Sequence, residues 1–226
     1  MKKKKFYSEL SYAFGLLSLA VGSSMMTVAN FGLSMVIAPA YIVHLKLSEL
    51  WSFVTFGMAE YIFQALLLVV MIAAVRKFKA TYLLSFATAV IYGFILDGCL
   101  TIMALLGDVG ITARIILYII GLFLTALGVS FMFHTYISAE VYELFVKEVA
   151  QRYNIKITTI KIIYDYVSCI ISVVMSFWFF GLWQLKGIGF GTVICALING
   201  RLIGIISKYL DNHFEFVDRL KLRKYF

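Results

Sequence analysis

Five ionisable side chains stand inside otherwise apolar stretches of this chain: Glu60, Asp97, Lys161, Asp165 and Arg201. A charge at the centre of a bilayer costs at least about 2.5–3.5 kcal/mol, so such residues are expected to be paired or to take part in moving something. Glu60 and Asp97 fall at similar depth in adjacent predicted spans, outward of the middle, with no basic residue at their level. Two carboxylates in a low dielectric cannot both stay ionised, so at least one is expected to hold a proton at neutral pH. Such a pair can bind a proton or a cation and couple it to substrate movement. Gln64, one helical turn after Glu60, and Tyr92 can complete a polar lining. The alternative is that both acids are protonated and hydrogen-bonded to serines and threonines of neighbouring helices. A carrier needs a cavity reaching Glu60 and Asp97 between the halves; a dry, closed bundle there would sink the transport reading and promote the scaffold.

Lys161 and Asp165 are four apart on one helix face and can pair. Asp165 and Arg201 share the inner half of the membrane, so a structural ion pair between them, with Lys161 nearby, is expected to hold the fifth and sixth spans together. The other chemical signals are absent. His44, His134 and His213 have no metal-ligand spacing, and Cys99, Cys169 and Cys195 form no C-x-x-C pair. There is no G-x-S-x-G elbow, H-E-x-x-H helix or phosphate-binding G-x-x-x-x-G-K-[ST] loop. Neither enzymatic activity, nor a metal, nor a cofactor is therefore expected, and without a nucleotide site the chain is not a primary pump by itself.

The elements that must position these residues follow from composition. Of 226 residues, 62% are hydrophobic and only 14% charged, against roughly 25% charged in soluble domains. The expected fold is an all-α polytopic membrane protein. Spans of about 20 residues can cross the bilayer, and six are predicted near 10–29, 51–75, 81–105, 115–135, 158–183 and 187–208. The net charge of +8 lies between spans, without a basic stripe carrying interleaved aromatics, so the lipid bilayer rather than nucleic acid is the expected partner. Most Lys and Arg fall on one side if both termini are cytoplasmic, and Trp51 and Trp183 then sit at the outer interface.

The first span has a copy. Tyr12–Met26 and Tyr118–Met132, offset by 106, share seven of fifteen residues, including Gly15/Gly121 and Gly22/Gly128. The match continues with Ala59-Glu60-Tyr61 opposite Tyr164-Asp165-Tyr166, and Ala89–Gly93 opposite Ala196–Gly200. Duplication with three spans per copy gives inverted halves, the plan of many secondary transporters. The predicted organisation is a first three-helix repeat over 1–108, a second over 109–210, and a basic cytoplasmic tail over 211–226. The glycines seven apart, and the G-x-x-x-G spacings at Gly187/Gly191 and Gly200/Gly204, allow close helix approach. After the first span of each repeat lies a short non-spanning piece. Met35–Leu45, broken by Pro39, is either re-entrant or interfacial. Val141–Gln151 reads as an amphipathic helix on the inner surface, with Val141, Leu144, Phe145 and Val149 opposite Glu140, Glu143, Lys147, Glu148 and Arg152.

Between the first span and its short piece the chain reads Ala29-Asn30-Phe31-Gly32-Leu33-Ser34. This resembles the A-x-L-G-x-S signature that follows the first helix in YitT/YczE-type bacterial membrane proteins, with Ala29, Gly32 and Ser34 matching. Phe31 stands in place of Leu, and Met35-Val36 in place of the usual Pro-Trp, with the proline at Pro39. The duplicated hydropathy, the basic Arg76–Lys79 loop and the small-residue third and sixth spans are similar too. The resemblance implies an integral plasma-membrane protein whose relatives are largely of unassigned function and often described as transporters.

The leading expectation is a small secondary-transporter-like carrier for an unknown small molecule or ion, with a mid-membrane site between inverted repeats. A bundle this small is compatible with a homodimer. The alternatives are a substrate-capturing subunit of an importer energised by a separate module, which is not expected to be duplicated, and a non-transport scaffold or regulatory protein.

Overall fold

A computed structural model describes residues 3–182 and 184–220; the expectations for Trp183 and the tail beyond residue 220 fall outside them. The order is β1 (Lys4–Tyr7), α1 (Ser8–Ala29), α2 (Ala38–Leu50), α3 (Phe56–Val75), α4 (Tyr82–Ala104), α5 (Ile111–Phe133), α6 (Val141–Tyr153), α7 (Ile157–Phe180), α8 (Phe190–His213) and β2 (Phe214–Val217). Among the described residues six helices are long and apolar enough to cross a membrane: α1, α3, α4, α5, α7 and α8. The sequence of helix lengths, long, short, long, long, occurs twice.

The centre of the bundle is the α1–α5 crossing, which explains the glycine spacing. Gly15 lies on Gly128 and Gly22 on Gly121, so the two helices run antiparallel. A Cβ at Gly22 would stand 2.7 Å from the Gly121 carbonyl oxygen, and one at Gly121 would stand 2.8 Å from that of Gly22. Four missing side chains let the backbones touch. Around this seam α4 packs on α1 and α8 packs on α5. Each short helix leans on the other half, α6 against α3 and α2 against α7.

Two expectations about the short helices change. Pro39 opens α2 instead of breaking it, standing in the first turn where its missing N–H has no helical partner to lose. The residues before it, 35–37, form a turn. The predicted polar face of Val141–Gln151 is divided: Lys147 and Arg152 are exposed, whereas Glu140 and Glu148 turn inward. The Val141 N–H donates to Gln64 Oε1 at 2.9 Å, and the Tyr153 hydroxyl donates to the Ala74 carbonyl at 3.0 Å. Thus α6 stands along the second half of α3, running in the same direction. Its 13 residues cover about 20 Å. Val141, Tyr142, Val146 and Ala150 are buried, and so are Glu140 and Glu148. The acids turn inward because they find partners there: Lys79 Nζ at 2.9 and 3.0 Å and the Tyr82 hydroxyl at 2.6 Å meet the Glu148 carboxylate.

The first residues of the region assigned to a tail, 211–217, belong to regular elements. The last helix continues to His213, and β2 pairs in parallel with β1, matching Phe6 to Phe216. Both described chain ends therefore lie on one face of the bundle. Phe6 packs among Phe14, Phe131, Phe214 and Phe216, and His134 closes the end of α5 against Asp211 at 3.1 Å.

Candidate functional site

Three of the four predicted lining residues are fully buried. Glu60, Gln64 and Tyr92 are each 0% exposed. Gln64 is the hub. Its Nε2 donates to Glu140 Oε2 at 2.9 Å and reaches Glu60 Oε1 at 3.5 Å, while its Oε1 accepts the Val141 N–H. Tyr92, from α4, donates to Ser23 Oγ of α1 at 3.0 Å. Glu140, the residue that caps α6, was read from the sequence only as part of a solvated face. It is 4% exposed. Burial, and the nearby negative charges of Glu143 and Glu60, hold its carboxyl well above the ordinary carboxylate range.

The centre is incompletely satisfied. Glu60 Oε2, Glu140 Oε1 and the hydroxyls of Tyr142 and Tyr164 make no close hydrogen bond, although the Tyr142 hydroxyl is turned to Glu60 and that of Tyr164 to Ser168. Tyr142 is 2% exposed. Leaving a buried polar group unpaired costs about 1–3 kcal/mol, and more if it is charged, which singles out Glu140 Oε1, the oxygen with no donor turned to it. Residues 1–108 supply Glu60, Gln64 and Tyr92, and residues 109–210 supply Glu140, Tyr142 and Tyr164. The cluster therefore joins the two halves.

Asp97 is placed apart from this cluster. Its carboxylate accepts from Thr55 Oγ1 at 2.6 Å and from the Gly57 N–H at 2.8 Å. Thr55 is also the N-cap of α3, accepting from the Met58 N–H. Asp97 thus satisfies donors at a helix N-terminus, where negative charge is favoured. The hydrogen bonds thus bring Glu60 and Gln64 together with Glu140, and Asp97 together with Thr55 and Gly57.

Lys161 and Asp165 pair as expected, at 3.3 Å, both partly exposed. Arg201 does not join them. It lies exposed on α8 and makes no ion pair among the described residues. The cause is the seam: α7 packs on α2 and α6, α8 packs on α5, and the two helices make next to no contact. A Cβ at Gly200 or Gly204 would meet nothing within 4 Å, whereas Gly187 meets Tyr41 and Gly191 meets Tyr118 and Phe31.

The Ala29–Ser34 signature forms a joint at the end of the bundle away from the strands. Arg114 Nε donates to the Ala29 carbonyl at 2.7 Å, with its guanidinium 4.9 Å from the Phe31 ring centre. Gly32, at φ +107°, lies against Gly189 and Thr192, where a side chain has no room. The Leu33 N–H donates to the Gly187 carbonyl, and the Gly191 N–H to that of Phe31. Ser34 sits beside Cys195. A cleft of about 560 Å³ opens here, lined by Phe31, Tyr41, Lys186 and Phe190 among others. A second, of about 400 Å³, is lined by Ala74, Arg76, Arg152 and Tyr153. Neither is lined by Glu60 or Asp97, and the Glu60–Glu140 centre is sealed in this conformation.

Six apolar crossings around a sealed acidic centre define a multi-pass helical membrane protein. The chain belongs to the family of unknown function DUF6198, whose family model matches residues 6–208. No curated protein and no solved structure matches it.

Proposed function

We propose that this chain is a small plasma-membrane carrier of the secondary-transporter kind, related to the YitT/YczE-type proteins. In this reading two inverted repeats enclose the Glu60–Gln64–Glu140 centre, and a small molecule or ion passes between them. The observation that carries the reading is the centre itself, built from both halves and left with a buried oxygen, Glu140 Oε1, to which no donor is turned. A scaffold gains nothing from such a cost. Inversion is supported by the antiparallel α1–α5 crossing: exchanging each glycine for its sequence counterpart turns the Gly15–Gly128 contact into the Gly121–Gly22 contact, as a two-fold relation requires. The N-terminus of α6, reached beside Gln64, which is the ninth residue of the 20-residue α3, supports a helix starting at half depth, as transporter sites commonly have. The basic bias supports cytoplasmic termini. The open Gly200/Gly204 face of α8 supports a homodimer. The protein moves its substrate unchanged; no chemical step is part of the proposal.

The second reading, a membrane scaffold, is favoured by one observation, the closure of the bundle over Glu60. Two-sided labelling separates them. With Cys99, Cys169 and Cys195 replaced by alanine, Ser23→Cys is placed next to Tyr92 in the seam. A carrier exposes this thiol to a membrane-impermeant maleimide from each side of a vesicle in turn. Labelling from neither side contradicts the carrier and leaves the scaffold.

A further inference from the structure

We propose that Glu60 and Glu140 share one exchangeable proton, and that this proton is the ion to which the carrier is coupled. The coupling rests on the carrier reading above; the sharing rests on geometry alone. The Val141 N–H can bond only to an oxygen, so its contact with Gln64 Oε1 fixes the orientation of that amide. The Gln64 NH₂ group must then point at the acids, at 2.9 Å from Glu140 Oε2 and 3.5 Å from Glu60 Oε1. One amide nitrogen serves two carboxyl groups; the far oxygen of each is buried, with the Tyr142 hydroxyl turned to Glu60 and no donor turned to that of Glu140.

The surroundings supply no counter-charge. On α6, Tyr142 faces Glu60, and Glu143 adds a further acid. Tyr92 of α4 and Tyr12 of α1 face Glu140, and Tyr164 of α7 faces Glu60. The cation in the neighbourhood, Lys161, faces Asp165 and Glu143. His44 of α2 faces Asp97 at the helix end. Neither Glu60 nor Glu140 has an ion pair among the described residues. A charge buried without a partner neutralises instead. The Tyr142 hydroxyl and the Gln64 amide both reach Glu60 and can stabilise a carboxylate there, which leaves Glu140 to hold the proton.

A polar path leads from the strand-bearing face toward this pair. The Tyr12 hydroxyl donates to Thr88 Oγ1 at 3.1 Å, and Thr88 donates to the Ser138 carbonyl at 2.9 Å. Ser138 lies two residues before Glu140, in an irregular, half-buried connection between α5 and α6. Displacement of that connection would let water exchange the proton without unpacking the glycine seam.

The test uses the wild-type chain in lipid vesicles and dicyclohexylcarbodiimide, which reacts with protonated carboxyls in apolar surroundings. Peptide mapping is expected to find the adduct on Glu60 or Glu140, one per chain, with labelling lost as pH rises. Absence of the adduct from both residues, adducts on both in one chain, or labelling indifferent to pH overturns the sharing. Protection by sodium in place of pH dependence also overturns it, since the pair is then a sodium site. An adduct that behaves as expected, in a protein whose Ser23→Cys form is labelled from neither side, defeats the coupling and leaves the shared proton.

Discussion

The two halves match in sequence at their acids and diverge in how they treat them. Glu60 and Asp165 occupy matching positions. Glu60 is sealed under α6, without a cation. Asp165 keeps a lysine one turn away, and its side chain remains 31% exposed. The helix pairs that carry them differ in the same sense. Gly57 of α3 lies on the Gly93 carbonyl of α4, so that pair is closed. The residues matching these glycines are Ile162 and Gly200, and α7 and α8 stand apart. One glycine fewer at a crossing opens the seam, and the acid beside an open seam is paired with lysine instead of being sealed. Burial, then, and not the mere presence of an acid in a span, separates the candidate site from its counterpart.

The comparison breaks most readily at the glycines. Gly57→Val sets a side chain against the Gly93 carbonyl and Asp97 Oδ2, at 2.6 Å for the latter. We expect the folded, monodisperse fraction in size-exclusion chromatography to be lost. Gly200→Val meets nothing of its own chain and should leave the stability of the single chain within about 0.5 kcal/mol, while weakening the homodimer proposed on that face. Equal losses from both would mean that the α7–α8 seam closes in the membrane.

Next in size is Gln64→Leu, which removes the donor to Glu140 and the acceptor for Val141. Stranding two buried polar groups should cost about 2–5 kcal/mol in denaturant unfolding. The matching side of the second half has less to lose. Lys161→Met leaves Asp165 without its cation in a span, where it can take up a proton instead, with an expected cost of about 1–3 kcal/mol.

Much of this was legible in the sequence. The spans followed from hydropathy, and the α1–α5 crossing was written in glycines seven apart. Glu60, Gln64 and Tyr92 stood out because a polar residue in an apolar run has few neighbours that can satisfy it. Glu140 did not stand out, because Glu140, Glu143, Lys147, Glu148 and Arg152 look like a solvated face when α6 is considered alone. Only contact with Gln64, Lys79 and Tyr82 shows that two of those charges turn inward. Asp97 misled for the converse reason: its depth resembled that of Glu60, but Thr55 and the Gly57 N–H, the groups that satisfy it, belong to a helix start four to five residues later than hydropathy placed it. The β1–β2 pair escaped notice because strands of four residues amid lysines carry little periodic signal.

Two acids on α6 sharpen the contrast and provide the decisive measurement. Burial works to raise the Glu148 pKa, but hydrogen bonds from Lys79 and Tyr82 outweigh it and hold the carboxyl below its ordinary 4.5. Its stabilising contribution is therefore present above that value and lost as pH falls through the lowered pKa. Glu140, raised by burial and by the charges of Glu143 and Glu60, has the opposite sign: its contribution is complete in acid and is lost as pH rises toward its raised pKa. Unfolding of the purified chain in detergent should be followed across pH for the wild type, Glu148→Gln and Glu140→Gln. Glu148→Gln should lessen the acid-side loss and leave the alkaline side unchanged, while Glu140→Gln should lessen the alkaline-side decline, of which Glu143 keeps a share. A Glu140→Gln profile parallel to that of the wild type from acid to alkaline pH would contradict the buried, proton-holding centre on which the account depends.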